Sequence, residues 1–312
     1  MNNPKKVISK NVPISEGKKL FLMALPFLIG VFIFSYLPLY GWIYAFFDYR
    51  PGLKLFDCEF VGLKFFKSFI ADPVSAGEIL RILRNTFAMS GLGILLSPLP
   101  LIFAIFLVEM KCKRYRKIVQ TLATLPNFIS WILVYSIAFS MFSVNDGFVN
   151  RMLISLGIID EGINFLASYN HVWLTMTSYG IWKGLGWGAI MYLAAITSID
   201  HELYEAATVD GAGRFAVIWN ITIPCLLPTY FVLLLLSIAN FLNNGMEQYF
   251  IFQNPMNKDY IEVLDLYVYN QGMVGVNYSF STAVSMLKSV VSIVLLFFAN
   301  NLSKLVRGET VI

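Results

Sequence analysis

The sequence is poor in charge, in cysteine and in histidine. Asp, Glu, Lys and Arg together make up 13% of the chain, against about a quarter in a soluble domain. That shortage excludes an ordinary water-soluble fold. The three cysteines, Cys58, Cys112 and Cys225, lie far apart, which leaves neither a disulfide framework nor a metal-ligand pattern. His171 and His201 stand alone and are read as capping or surface residues. No GxxxxGK[ST] loop is present, so no phosphate cradle for ATP is expected in this chain. A membrane-embedded enzyme would need a His, Asp, Glu or Cys constellation near the bilayer face, and none is visible. We therefore expect no catalytic, cofactor or metal site. Nor is there an internal repeat or a clear carboxylate inside an apolar run, the marks of an ion-coupled secondary transporter.

What is abundant is apolar and aromatic. Hydrophobic residues make up 57% of 312 residues and aromatics 16%, with a mean hydropathy of +0.67. These values describe an all-α integral membrane protein. Six runs are long enough to cross a bilayer: 20–47, 84–108, 118–142, 171–197, 229–247 and 282–306. The first is too long for a signal-peptide core and lacks a small-residue cleavage site, so it is read as a span. Pro26, Pro38 and Pro126 fall inside spans, which membrane helices tolerate. The loops 48–83, 143–170 and 248–281 are polar, and 60–69 reads as a short interfacial helix. Residues 1–19 form a polar tail, 20–306 one transmembrane domain, and 307–312 a second tail.

Six spans place both termini on one face. That face gathers thirteen Lys or Arg, against eight in the loops of the other. The positive-inside rule makes the richer face cytoplasmic. The five bases of KCKRYRK, 111–117, read as a cytoplasmic anchor and not as a nucleic-acid contact.

One polar segment, 200–228, interrupts the second half. Asp200 is placed to cap a helix whose apolar positions are Leu203, Ala206, Ala207 and Val209. Gly211 suits a left-handed stop. A second short helix is expected from about Arg214 to Ile221, stopped by Pro224 and Pro228. The result is a helix–turn–helix elbow on one membrane face.

The run before it, 171–197, carries Gly180, Gly184 and Gly188 at four-residue intervals. Such a strip permits close helix packing, or lets the helix shift. Lys183 lies about 15 Å into this helix at 1.5 Å per residue. An ammonium at that depth is costly and must face protein or water. It serves either a sugar-like substrate or a carbonyl or ion-pair contact to a neighbouring helix. Lys288 in the last span is shallower and is expected to snorkel outward. Asn240, Asn243, Asn244, Glu247 and Gln248 fall at helical spacing and suit a hydroxyl-rich ligand or a partner subunit. The rings of Trp182, Trp187, Tyr192 and Tyr249 are either stacking surfaces or packing.

The wording of the elbow is more specific than its physics. Glu205-Ala206-Ala207, then Gly211 after three residues, then Ile221-x-Ile223-Pro224 after nine more, resembles the EAA signature of ABC-importer permeases. Ile223 departs mildly from that pattern, which usually has Leu before the proline. Asp210-Gly211-Ala212 is similar to the sugar-transporting branch, as is the helix ending MYLAAITSID. NNGMEQYFIFQNP and DLYVYNQGM resemble the branch serving oligosaccharides or polysaccharide fragments. The resemblance implies a type I ABC importer permease fold in a bacterial cell membrane. It implies a coupling helix within 200–224, with Glu205, Ala206, Ala207, Asp210, Gly211 and Arg214 meeting a cytoplasmic ATPase. It further implies a second permease chain, two ATPase subunits holding ATP and Mg, an extracytoplasmic binding protein and surrounding lipid. Lys183, Trp187, Tyr192, Asn240, Asn243, Asn244 and Glu247 become candidates for the substrate path. The rival readings are a permease for another solute class and a secondary transporter.

Overall fold

The computed structural model describes residues 14–71 and 73–307. Lys5, Lys6 and Lys10 of the 1–19 tail, and residues 308–312 of the other tail, lie outside them. Helix α1 (Ile14–Val31) continues through a π turn, Phe32–Tyr36, and a 3-10 stretch, Leu37–Phe46. Both irregular stretches fall where Pro38, which has no N–H to give, interrupts the ladder. The interfacial segment forms helix α2 (Lys64–Ala71), whose Phe65 packs on the bundle. Helices α3 (Pro73–Leu95) and α4 (Leu99–Glu109) join into one apolar stretch, Ser75–Glu109. Helices α5 (Lys113–Thr124) and α6 (Trp131–Phe142) flank a 3-10 turn, Leu125–Phe128, and are bent by 108°. Helix α7 (Phe148–Ser155) precedes α8 (Val172–Thr197).

Helices α9 (His201–Val209) and α10 (Arg214–Val217) form the elbow. The chain runs from α10 through a π turn, Ile218–Thr222, into α11 (Ile223–Ala239). Three short helices follow, α12 (Glu247–Phe252), α13 (Lys258–Ile261) and α14 (Leu264–Tyr269), then a π turn, Asn270–Val274, and the long α15 (Tyr278–Arg307). Among the described residues there is no strand, only an isolated antiparallel bridge between Phe47 and Phe60.

Among the described residues, four stretches are long and apolar enough to cross a membrane: Gly17–Phe46, Ser75–Glu109, Arg214–Ala239 and Tyr278–Asn301. The bent pair α5–α6 makes a fifth if taken as one span. Helix α8, with 26 residues, reaches about 39 Å and occupies the place of the expected fourth span. Five of the six expected runs correspond to these stretches, and the fourth to α8, which is not apolar enough to count among them; the second starts at Ser75 and not at Arg84, and three further corrections follow. The third span is broken after Phe128, just past Pro126, not merely kinked. The fifth starts at Arg214, because the π turn accommodates Pro224 and the helix continues through Pro228; neither proline stops it. It also ends at Ala239, eight residues short of Glu247.

The polar loop 248–281 is the largest correction. It folds inward, and Ile261, Val263 and Leu266 are fully buried in it. Its apolar groups are too short to read as a span, yet they close the far end of the bundle. There they join Met89, Val134, Ala138, Val172 and Met176 in one core cluster. A second cluster, Leu101, Ala104, Ile105, Ala189, Tyr192, Ile196 and Leu226, lies toward the elbow.

Helix α8 is central, packing against α3, α4, α5 and α11. Its closest approach is at Gly186, where an added Cβ would sit 2.2 Å from the Ala123 carbonyl oxygen and 2.6 Å from Thr124 N. Gly188 is tighter than usual against Pro100, at 3.2 Å, whereas a Cβ at Gly184 meets nothing within 4 Å. The glycine strip is therefore not a uniform packing seam. The obligatory packing glycine is Gly186, which lies off the strip. Gly186→Ala forces backbone apart and should cost about 3 kcal/mol or more, seen as loss of monodisperse protein in detergent. Gly184→Ala should keep wild-type thermal stability. Equal behaviour of the two variants would contradict this assignment.

Candidate functional site

The central feature is a cavity of about 420 Å3 between α3–α4, α8, α11 and α12. Gly180, Gly184 and Gly188 form its wall on α8, with Tyr192 one turn below. The remaining polar lining is Ser97, Thr177, Tyr230, Ser237, Gln248 and Tyr249, and no lining residue is charged. The Ser97 and Tyr230 hydroxyls lie 3.1 Å apart. Gln248 Nε2 donates to the Met176 carbonyl at 2.8 Å, which ties α12 to α8 beside the opening. Neutral donors and acceptors on an otherwise apolar wall suit a hydroxylated, uncharged group.

The expected path residues divide. Tyr192 and Tyr249 line the cavity. Lys183 does not: its Nζ donates to the carbonyls of Pro126 at 3.2 Å and Asn127 at 2.7 Å, and sits 5.5 Å from the Trp131 ring centroid. Trp187 is exposed on the same side, edge-on to Phe128. The Asn-rich stripe is not a stripe, because α11 ends at Ala239 and Gly245, at φ +73, turns the chain. Asn240 Nδ2 donates back to the Leu236 carbonyl, and Asn243 Nδ2 to Asn240. Asn244 Nδ2 donates to Ser90 Oγ, and Glu247 is exposed at the start of α12. Of that group only Gln248 reaches the cavity. Ser97, Thr177, Tyr230 and Ser237 carry no expectation from the sequence. Tyr230 and Ser237 lie seven residues, two helical turns, apart in an apolar run, and that spacing was the available signal.

The elbow hangs from the other end of α8. Asp200 accepts from Glu202 N at 3.0 Å, capping α9. Gly211 takes φ +75. Its N–H donates to the Thr208 carbonyl at 3.1 Å, and Ala212 N–H to that of Ala207 at 2.9 Å, a Schellman stop. Glu205, Ala206, Asp210 and Arg214 are exposed, and Ala207 is half-buried. Apolar Val209, Phe215 and Trp219 are 87%, 88% and 73% exposed; Phe215 and Trp219 already belong to the apolar stretch Arg214–Ala239, and Val209 stands on the elbow itself. The Tyr204 hydroxyl and Thr222 Oγ1, 3.3 Å apart, tether the elbow to the bundle.

At the far end, α3 is tied to the cap by charge. Arg81 pairs with Asp259 and, at 3.1 Å, with Glu262, which is 3% exposed. Asn85, fully buried, donates to the carbonyls of Asp259 and Glu262. Arg84 stacks on the rings of Trp173 and Tyr260. Lys288 does not snorkel. It pairs with Asp265, whose other oxygen accepts from Gly245 N–H at 2.8 Å. Burial, and secondarily the Glu78 carboxylate, push the Tyr267 phenol up to about 12, so it remains a protonated hydroxyl.

A helical membrane bundle with a neutral central cavity and an exposed apolar elbow has the layout of a transport subunit. Residues 97–308 match the family described as the binding-protein-dependent transport system inner membrane component, and the chain belongs to that family. Among its relatives, Protein LplB of Bacillus subtilis (strain 168) is 41% identical over 300 residues, covering 96% of this chain and 92% of that one. The polygalacturonan/rhamnogalacturonan transport system permease protein YteP of the same organism is 37% identical over 294 residues, covering 94% and 90%. Among solved structures, a bacterial alginate ABC transporter in complex with an alginate pentasaccharide-bound periplasmic protein superposes with a TM-score of 0.84 at 34% identity. That match covers 96% of this chain and 98% of the other.

The position of Lys183 generates a test. A broken helix leaves carbonyls without partners, and the bilayer supplies no water to replace them. Lys183→Met should lower thermal stability by about 1–3 kcal/mol and leave the apparent affinity for transported solute unchanged. A large affinity change at unaltered stability would return Lys183 to the substrate path.

Proposed function

We propose that this chain is one of two permease subunits of an ATP-driven importer that moves oligosaccharides or polysaccharide fragments. The observation that carries the proposal is the double use of α8. Its glycine face and Tyr192 wall the cavity, and three residues past its end Asp200 caps the exposed elbow. A push on α9 is thereby delivered through α8 to the cavity wall. The names of its relatives, and the alginate importer it superposes on, support a saccharide cargo. The uncharged hydroxyl and amide lining supports it independently.

In this proposal a partner ATPase receives α9, with Glu205 and Arg214 as polar contacts and Val209 and Phe215 as apolar ones. ATP and Mg bind on that partner, and none of the chemistry of hydrolysis falls to this chain. Closure of the ATPases moves the elbow, the cavity turns from inward-open to outward-open, and a binding protein delivers sugar at the far end. Sugar can bias these states only as far as it binds one better than the other. The elbow and both tails face the cytoplasm, with the tails at 1–19 and 307–312 flanking a 20–306 permease domain. A second permease chain completes the cavity, and lipid covers the remaining apolar faces.

Two tests follow from the coupling assignment and the cavity. Gly211→Pro removes both the N–H and the φ that the Schellman stop uses, and Glu205→Lys inverts a contact charge. Either should reduce import in proteoliposomes to background while the chain still inserts and assembles. Full transport with full ATPase stimulation in both would remove the elbow from coupling. Gly184→Leu fills open cavity space, so import should fall while the yield of assembled complex holds. Undiminished import would exclude the cavity as the path.

A further inference from the structure

Helix α5 has three faces. On one, half-buried Ala123 and Thr124 lie against Gly186 of α8. Lys113 and Lys117 stand exposed on a second. The third carries Tyr115, Ile118 and Leu122, continued by Leu125 of the 3-10 turn, all between 48% and 60% exposed. Intervals of three, four and three residues put these four on one stripe. The exposed rings of Phe128 and Trp187 close its end, at the break.

The head of the stripe is basic. Arg114 is four residues before Ile118 and so stands over the stripe. Lys111 lies three residues earlier, just outside the helix. Both are exposed, and none of the five bases in 111–117 makes an ion pair among the described residues. No acid occurs between Glu109 and Asp146, so the segment itself supplies no counter-charge.

We propose that this face of α5 binds one anionic phospholipid, its phosphate on Arg114 and Lys111 and one acyl chain along Tyr115, Ile118, Leu122 and Leu125. Length supports a lipid. The 12 residues of α5 span about 18 Å, close to the roughly 15 Å of hydrocarbon in one leaflet. The acyl chain thus ends where the helix breaks. Charge sets the headgroup. The planar fork of arginine matches phosphate oxygens, and lysine adds a point charge. A lipid of net negative charge compensates the five bases, which a zwitterion does not. A partner span is a poorer occupant, because helices in a bilayer meet through small residues and the stripe has none. A soluble subunit can reach the bases but not the stripe. The bound lipid covers a side of α5 that α8 leaves open, so its occupancy holds the broken span on α8. The site goes beyond the permease proposal and rests on it only for the leaflet, the inner one.

The test uses the protein purified in detergent with its partners and stripped of lipid. It is titrated with phosphatidylglycerol and with phosphatidylcholine of the same chains, followed by native mass spectrometry and melting temperature. Phosphatidylglycerol should bind the tighter and raise the melting temperature. Lys111→Gln with Arg114→Gln should weaken it about tenfold and leave phosphatidylcholine unchanged. Lys111→Arg with Arg114→Lys should keep most of the binding, which separates lost charge from misfolding. Lys64→Gln with Lys67→Gln removes the same charge from α2 and should change nothing. Equal binding of the two lipids, or an equal loss in the α2 pair, overturns the proposal. So does displacement of the lipid by sn-glycerol 3-phosphate, which would make this a free-anion site. A Gln pair at 111 and 114 that keeps the lipid but loses a partner subunit overturns it too, since the bases would then be a protein contact. Protein that binds phosphatidylglycerol as expected but carries no oligosaccharide into proteoliposomes would sink the permease proposal and leave the lipid site standing.

Discussion

The grip of α8 on the bend between α5 and α6 is the contact on which the rest of the structure depends. Inside a bilayer a helix cannot break unless something takes up the backbone groups it frees. Here the third span breaks after the 3-10 turn that holds Pro126, and Lys183 covers the carbonyls of Pro126 and Asn127. One turn further along, Gly186 lets α8 touch the backbone of Ala123 and Thr124. The same helix therefore permits the break and is fixed by it. With that face committed, the opposite face, with Gly180 and Gly184, is left without neighbours and becomes the cavity wall.

Where one local rule decided the outcome, the fold and the site were legible in the sequence. The cap at Asp200 and the stop at Gly211 are set by residues within a few positions of each other, and they formed as read. Long-range contacts decided the rest. Lys183 has the same depth in its helix whether it meets a sugar or a carbonyl; only the position of the third span separates those outcomes. The Asn240–Glu247 pattern kept helical spacing across a place where the helix had already ended. Lys288 looked free because its counter-ion, Asp265, comes from a segment that reads as loop. Ser97, Tyr230 and Ser237 passed unnoticed because a hydroxyl in an apolar run is usually bonded to its own helix.

The far end shows a different way of holding a membrane protein shut. The elbow end rests on apolar packing, whereas the cap adds to its apolar core the ties of Arg81, Asn85, Glu262, Asp265 and Lys288, several of them well buried. Buried charges contribute little net stability even when paired, and cost heavily when separated. Such an arrangement fixes the register of the short helices α12 to α14 more than it strengthens them. Apolar groups alone could slide; the donors of Arg81 and Asn85, set against the acceptors of Asp259 and Glu262, admit one alignment.

The uncharged lining of the central cavity has an electrical consequence. A transmembrane voltage does work only on charge that moves through it, about 2.3 kcal/mol per elementary charge per 100 mV. None of the residues that line this cavity carries a charge. This wall can turn from one face of the membrane to the other without displacing gating charge. On the importer proposal, the resting potential therefore does no work on this lining, and the work of reorientation falls to the elbow.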